Sequence, residues 1–294
     1  MVLGLSTLFV GLLGLAFGSF LNVCVSRWPD DKSVINPPSH CPSCERTLAW
    51  WENIPVISWL ALRGSCRTCH ASIGWRHLIV ELAVGVLWAF TTWQTLTSSP
   101  DRKFESLSYI ALLNGAFQLV FLWLLVGLAA FDIENLWLPD WLIWPGILLG
   151  LVLSLTRAAI DTYNTHGGFA QWKHRSAVAG SHWFLGCVIA AGLLLTIRFL
   201  YKLIRGQEGM GMGDVKLMGM LGAWMGARVA LFAFVVALVS AAIIGLILRI
   251  DPARREAWAQ TKLPFGAFLA LAGIVAAFWG EPIVTTYMNW AGLS

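Results

Sequence analysis

The sequence predicts an all-α polytopic membrane protein, with about eight transmembrane helices and one small soluble domain between the first and the second. Three observations carry that expectation. The 294 residues are 57% hydrophobic and only 12% charged, where a soluble domain is usually about 25% charged. The apolar residues fall in blocks of the roughly 17–25 residues that a bilayer crossing requires. Mean hydropathy is +0.69, and seventeen tryptophans suit a chain with many membrane–water interfaces. A net charge of +4, dispersed along the chain, argues against nucleic acid as a partner. The lipid bilayer is the partner that composition does imply.

The predicted spans lie near residues 3–25, 77–97, 108–131, 138–156, 179–203, 213–226, 228–248 and 265–289. The first opens on "MVLG", without a basic residue, and "GLAFGSFLNVCV" offers no small-residue cleavage site, so it reads as a retained anchor. The sixth is short and rich in glycine. Loop charge sets the orientation. Twelve Lys and Arg fall in segments 27–76, 202–212 and 249–262; six fall on the other side, among them Arg102, Lys103, Arg157 and Arg228. The N-terminus is therefore expected to face out and segment 27–76 to face the cytoplasm. The expected organisation is a first transmembrane helix over 1–26, a cytoplasmic four-cysteine domain over 27–76, and a transmembrane core over 77–294.

Segment 27–76 contains "CPSCERTLAWWENIPVISWLALRGSCRTC", in which Cys41, Cys44, Cys66 and Cys69 form two C-x2-C pairs separated by 21 residues. Two such pairs can supply four thiolates to a tetrahedral zinc. Two structural disulfides or a redox pair are the alternatives, and a reducing cytoplasm disfavours both. His40 and His70 adjoin ligand cysteines and could substitute for them. About 50 residues hold too little core to fold alone, so a metal staple makes physical sense. Cys24 and Cys187 lie in apolar spans and read as small buried hydrophobes.

Two groups of acids sit against the spans: Asp132, Glu134 and Asp140 in "FDIENLWLPD", and Asp214 in "GMGMGD". The charge count puts both on the cytoplasmic side, so Asp132 and Asp214 are free to meet at one depth. Two close carboxyl groups share one proton near neutrality. The ionised member can then deprotonate a water that attacks a peptide carbonyl, while the protonated member donates to the developing oxyanion. Glycines 209, 211 and 213 would let a substrate backbone approach Asp214. Lys216 could be a charge partner or could snorkel to the interface. Asp140, just after Pro139, looks like a helix cap, and Glu81 could pair with His77 one helical turn earlier. An ion-coupled transporter carries similar intramembrane acids, and on the residues alone that alternative stands.

The motifs resemble those of the type IV prepilin peptidases over about residues 10–281. The matching stretches are "GSFLNVCVSRWP", the cysteine segment with "IGWRHLIVELAVG", "DIENLWLPDWL", "GMGMGDVKLMGMLGAWMG" and "LPFGAFLALAG". The resemblance implies a bacterial inner-membrane, non-pepsin aspartic protease. Such enzymes cut short basic leaders after glycine, at the cytoplasmic face, from prepilins and pseudopilins. It implies Asp132 and Asp214 as the catalytic pair; from their own positions Gly211, Gly213, Lys216, Asp140 and Glu81 are expected to give substrate approach or support. Many members also methylate the new N-terminal amine with S-adenosylmethionine, and the complete cysteine segment fits that bifunctional type. No motif for the methyl donor is legible. Pilus or type II secretion assembly proteins would be further partners. The loop 157–178 is longer than the family usually has and is expected in the periplasm.

Overall fold

The computed structural model describes residues 2–97, 109–165, 168–207, 209–250 and 263–292. Seven helices among these residues are long and apolar enough to cross a membrane. No strand occurs among the described residues, only two isolated bridges, His40–Thr47 and Ser65–Ser72. The chain forms two compact units, Met1–Ala130 and Phe131–Ser294. Arg102, Lys103, Arg254, Arg255 and Lys262, used in the charge count, lie outside the described residues.

The first unit is built on α1 (Val2–Arg27), the short α2 (Ile57–Ala61), α3 (Trp75–Thr97) and most of α4 (Tyr109–Asn135). Small residues let α1 and α3 approach closely, because a Cβ on Gly18 would fall 2.7 Å from the Glu81 Cα and one on Gly14 2.9 Å from the Gly85 Cα. Indole donors tie in the remaining contacts: Trp88 Nε1 donates to the Leu119 carbonyl at 3.0 Å and Trp123 Nε1 to the Phe17 carbonyl at 3.2 Å. Burying an indole N–H in a bilayer is tolerable only with such an acceptor.

The second unit contains α5 (Asp140–Asn164), α6 (Phe169–Arg205), α7 (Met212–Ile250) and α8 (Phe265–Trp290). At 1.5 Å per residue, the 39 residues of α7 would run about 58 Å as one rod, far more than a ~30 Å hydrocarbon core. Gly226 divides it, with φ 76° and ψ 165°, a conformation open only to glycine. The expected sixth and seventh spans are therefore the two arms of α7, and their boundary falls where the sequence placed it. A Cβ on Gly186 would collide with the Gly222 carbonyl, so α6 and α7 touch backbone to backbone just before this break. The expected loop 157–178 is largely helical. Apolar residues at 158–160 and 177–179 continue both patterns, so α5 runs to Asn164 and α6 starts at Phe169.

Candidate active site

Asp132 and Asp214 come close enough to interact from different helices of the second unit. Asp132 lies in the last turn of α4 and is buried. Its Oδ2 accepts the Ala267 N–H at 2.7 Å, and the Gly266 N–H also points at it. These donors belong to the first turn of α8, a helix N-terminus that suits an anion; the Ala267 N–H is shared with the Pro264 carbonyl at a longer 3.2 Å. Asp214, equally buried, opens α7, and its Oδ2 accepts the Gly211 N–H at 3.2 Å.

Leu138 explains how the two carboxyl groups come together. A Cβ on Gly213 would lie 2.9 Å from the Leu138 Cβ, and one on Gly266 would lie 2.7 Å from the Leu138 Cδ1. Leu138 thus wedges between the residue before Asp214 and the residue whose backbone faces Asp132. At this range the two acids act on each other electrostatically, and Arg198 acts on Asp214 as well. The Arg198 guanidinium also donates to the Met210 carbonyl at 2.5 Å, fixing the glycine-rich segment before α7.

Other expected site residues find different uses. Asp140 is not a cap: the cap position is Pro139, and no side chain caps α5. Its carboxylate instead receives Lys216 Nζ at 2.7 and 2.8 Å, so Lys216 is a charge partner. The missing side chain of Gly213 makes room for Leu138 and that of Gly209 for the Tyr201 ring, whereas a Cβ on Gly211 would meet little beyond Asp214 Oδ2, at 3.4 Å. Glu81 belongs to the first unit. It does not take His77; its Oε2 accepts the Val56 N–H at 2.7 Å, because Gly18 admits α1 against the same helix face and the turn at Val56 supplies a donor.

The sequence reading missed Leu138, Ala267 and Arg198. "LPFGAF" held a signal for the α8 donors, since Pro before a helix and Gly in its first turn suggest exposed backbone N–H groups. For Leu138 no one-dimensional signal existed.

The four cysteines of segment 27–76 converge, with all Sγ atoms within 4.8 Å of one another and Cys41 Sγ 3.6 Å from Cys69 Sγ. Four thiolates around one zinc, with Zn–S of ~2.3 Å, stand about 3.8 Å apart, so the cluster could hold a metal ion. Each C-x2-C turn aims backbone donors at its first sulfur. N–H groups of Cys44 and Ser43 hold the Cys41 thiol below its ordinary value, and those of Cys69 and Thr68 pull Cys66 down to about 6. At Cys69 the Ala71 N–H acts the same way, yet desolvation and the bonds with the other cysteines together push the thiol up to about 11. Beside them Arg46 clasps Glu52 through two bonds, at 2.7 and 3.0 Å, and also bonds to Cys66. The Arg46 guanidinium, followed by the Ala49 N–H, holds the Glu52 carboxyl below the usual range. His40 and His70 are not part of the cluster.

The chain is thus of the helical membrane-protein class, with two interacting buried carboxyl groups in one unit and a four-thiol cluster in the other. Residues 12–95 match the bacterial peptidase A24 N-terminal domain, and residues 119–246 match the type IV leader peptidase family. A prepilin leader peptidase/N-methyltransferase from Stutzerimonas stutzeri is 35% identical, over 96% of this chain and 93% of its own length. Proteins of the same description from Pseudomonas aeruginosa and Dichelobacter nodosus are 34% and 33% identical, each over 93% of its own length. No solved structure shows a significant match. The chain belongs to the type IV leader peptidase family.

Proposed function

We propose that this chain, as a member of that family, cleaves the leader from prepilins and N-methylates the residue so exposed. The relatives of like length support both activities, and nothing in the comparisons supports the transporter reading. The finer reading is that Asp132 and Asp214 form one water-activating dyad at the cytoplasmic face, cutting after glycine. The observation that carries it is the meeting of both carboxyl groups around Leu138. One carboxylate takes a proton from water as the oxygen attacks the scissile carbonyl carbon. The other carboxyl donates to the carbonyl oxygen, and collapse of the tetrahedral species breaks the C–N bond as the amine takes a proton. The Ala267 and Gly211 N–H groups hold the two carboxyl groups in place during these transfers.

Cys41, Cys44, Cys66 and Cys69 fit a structural zinc, which would tie two turns of a segment too small to fold alone. S-adenosylmethionine is the second substrate of the methylation, and no residues are assigned to it. The excess of basic residues on segment 27–76 favours its cytoplasmic placement in a bacterial inner membrane, with the N-terminus in the periplasm. Pilus or secretion assembly proteins would meet the enzyme through its substrates. Incubating the purified protein in nanodiscs with a prepilin, with and without S-adenosylmethionine, tests the reading. Mass spectrometry should find a leader-less product, heavier by one methyl when the donor is present. An uncut prepilin would overturn it.

A further inference from the structure

The cysteine segment carries an apolar surface that neither the metal cluster nor the peptidase chemistry uses. Helix α2 exposes Ile57 and Leu60, at 63% and 59%, and the adjoining turn at Trp50–Asn53, which packs against α2, exposes Trp50 at 81%. Large side chains so exposed on a soluble piece mark a contact surface.

Three contacts fix this surface to the mouth of α3. The Trp59 ring lies 4.7 Å from that of Trp75, the first residue of α3, and Trp59 Nε1 donates to the Ile73 carbonyl at 3.3 Å. The third is the Glu81–Val56 bond. Val56 has φ 62° and ψ −51°, a tight γ-turn closed by the Ile57 N–H on the Pro55 carbonyl at 2.6 Å, which a β-branched residue adopts only under constraint. The buried carboxylate of a membrane helix thus holds a strained turn, and that turn sends α2 outward.

The depth of α2 then follows from α3. The 23 residues of α3 span about 35 Å, so its ends reach just past a ~30 Å hydrocarbon core. Trp75, 68% exposed, stands at headgroup level, where tryptophan collects. Trp59 stacks on it and shares its depth. Arg63, exposed just beyond α2, adds a cation suited to anionic headgroups. We propose that α2 is an interfacial anchor: Ile57, Leu60 and Trp50 enter the headgroup–acyl boundary of the leaflet from which segment 27–76 emerges. The cysteine segment is thereby held flat on the lipid, pivoting on Trp75. The inference depends on the membrane fold alone and not on the assignment of the dyad.

Photo-crosslinking tests it. p-Benzoylphenylalanine replaces Leu60 in the full chain, in nanodiscs of phosphatidylethanolamine and phosphatidylglycerol, and adducts are read by mass. The same probe at Leu246, on the second arm of α7, reports lipid, and at Lys32 it reports water. Position 60 should give phospholipid adducts at a yield within about threefold of position 246 and at least tenfold above position 32. Adducts to a second copy, adducts to residues 131–294, or a yield like that of position 32 would each overturn the proposal. Position 57 is the second probe, should the first variant fail to insert.

Discussion

Replacing Gly266 with alanine should damage the peptidase without unfolding it. The new Cβ would lie 2.7 Å from Leu138 Cδ1, 3.0 Å from Asp132 Oδ2 and 3.1 Å from Asp132 Cγ. Carbon atoms make their best contact near ~3.5–4.0 Å, so Leu138 must retreat by roughly 0.8 Å and the carboxyl group by about 0.4 Å. Leu138 can turn at χ2, whereas Asp132 can move only by stretching its 2.7 Å bond to Ala267. A misplacement of about 1 Å costs a catalytic group on the order of a hundredfold, so this shift should lower kcat by about tenfold to a hundredfold. The assay is single-turnover cleavage of a purified prepilin in nanodiscs, with thermal unfolding measured alongside. Gly219→Ala is the control, since its Cβ would meet Ala191 and Cys187 at an ordinary 3.4 Å. Adding Leu138→Ala should restore only part of the loss, because the contact with Asp132 remains. A Gly266→Ala enzyme within threefold of wild type would refute the geometry argued for Asp132.

The other expectations are briefer. Asp132→Asn and Asp214→Asn should each remove nearly all cleavage, with the double variant no worse than either, because members of one catalytic unit fail together; strictly additive losses in a prepilin assay would separate the two acids. Lys216→Met should cost no more than about fivefold in kcat/KM, since its partner Asp140 is 56% exposed and such pairs are worth about 0–1 kcal/mol. A hundredfold loss would make Lys216 part of the chemistry. Zinc affinity, measured by chelator competition, should weaken as pH falls, because protons compete for the thiolates. The slope should steepen below about 6, where Cys66 also takes up a proton, and a flat profile between pH 8 and 5 would exclude a thiolate site. Gly222→Ala should cut kcat at least tenfold while Gly219→Ala does not; equal rates would show that the α6–α7 contact does not govern Asp214.

The parts of this architecture that obey local rules could be read from the residues. Apolar runs gave the helices, the paired C-x2-C spacing gave the cluster, and the glycine-rich run ending at Gly226 gave the break in α7. What escaped was set by contacts across the chain. Asp140 looks like a cap beside Pro139, yet Lys216, 76 positions away, decides its role. Glu81 had a plausible neighbour in His77, but the strained turn at Val56 offers a backbone donor instead. Leu138 is an ordinary leucine in the sequence, and its significance depends on two glycines brought to either side of it by α7 and α8. The loop expected over 157–178 failed for a different reason. The reading stopped each helix once a bilayer-length span was complete, whereas the apolar residues at 158–160 and 177–179 carry both helices further.

The break at Gly226 turns the first arm of α7 into a lever. Asp214 stands 12 positions from that fulcrum, about 18 Å along the helix at ~1.5 Å per residue. A swing of only about 3° at the glycine therefore carries the carboxyl group through roughly 1 Å, the displacement that costs on the order of a hundredfold in rate. The contact between Gly186 and Gly222 bears on this arm close to its fulcrum, where leverage is poorest. A brace in that position can hold the far end steady only if it is nearly incompressible, and backbone resting on backbone leaves no side chain between that could turn aside.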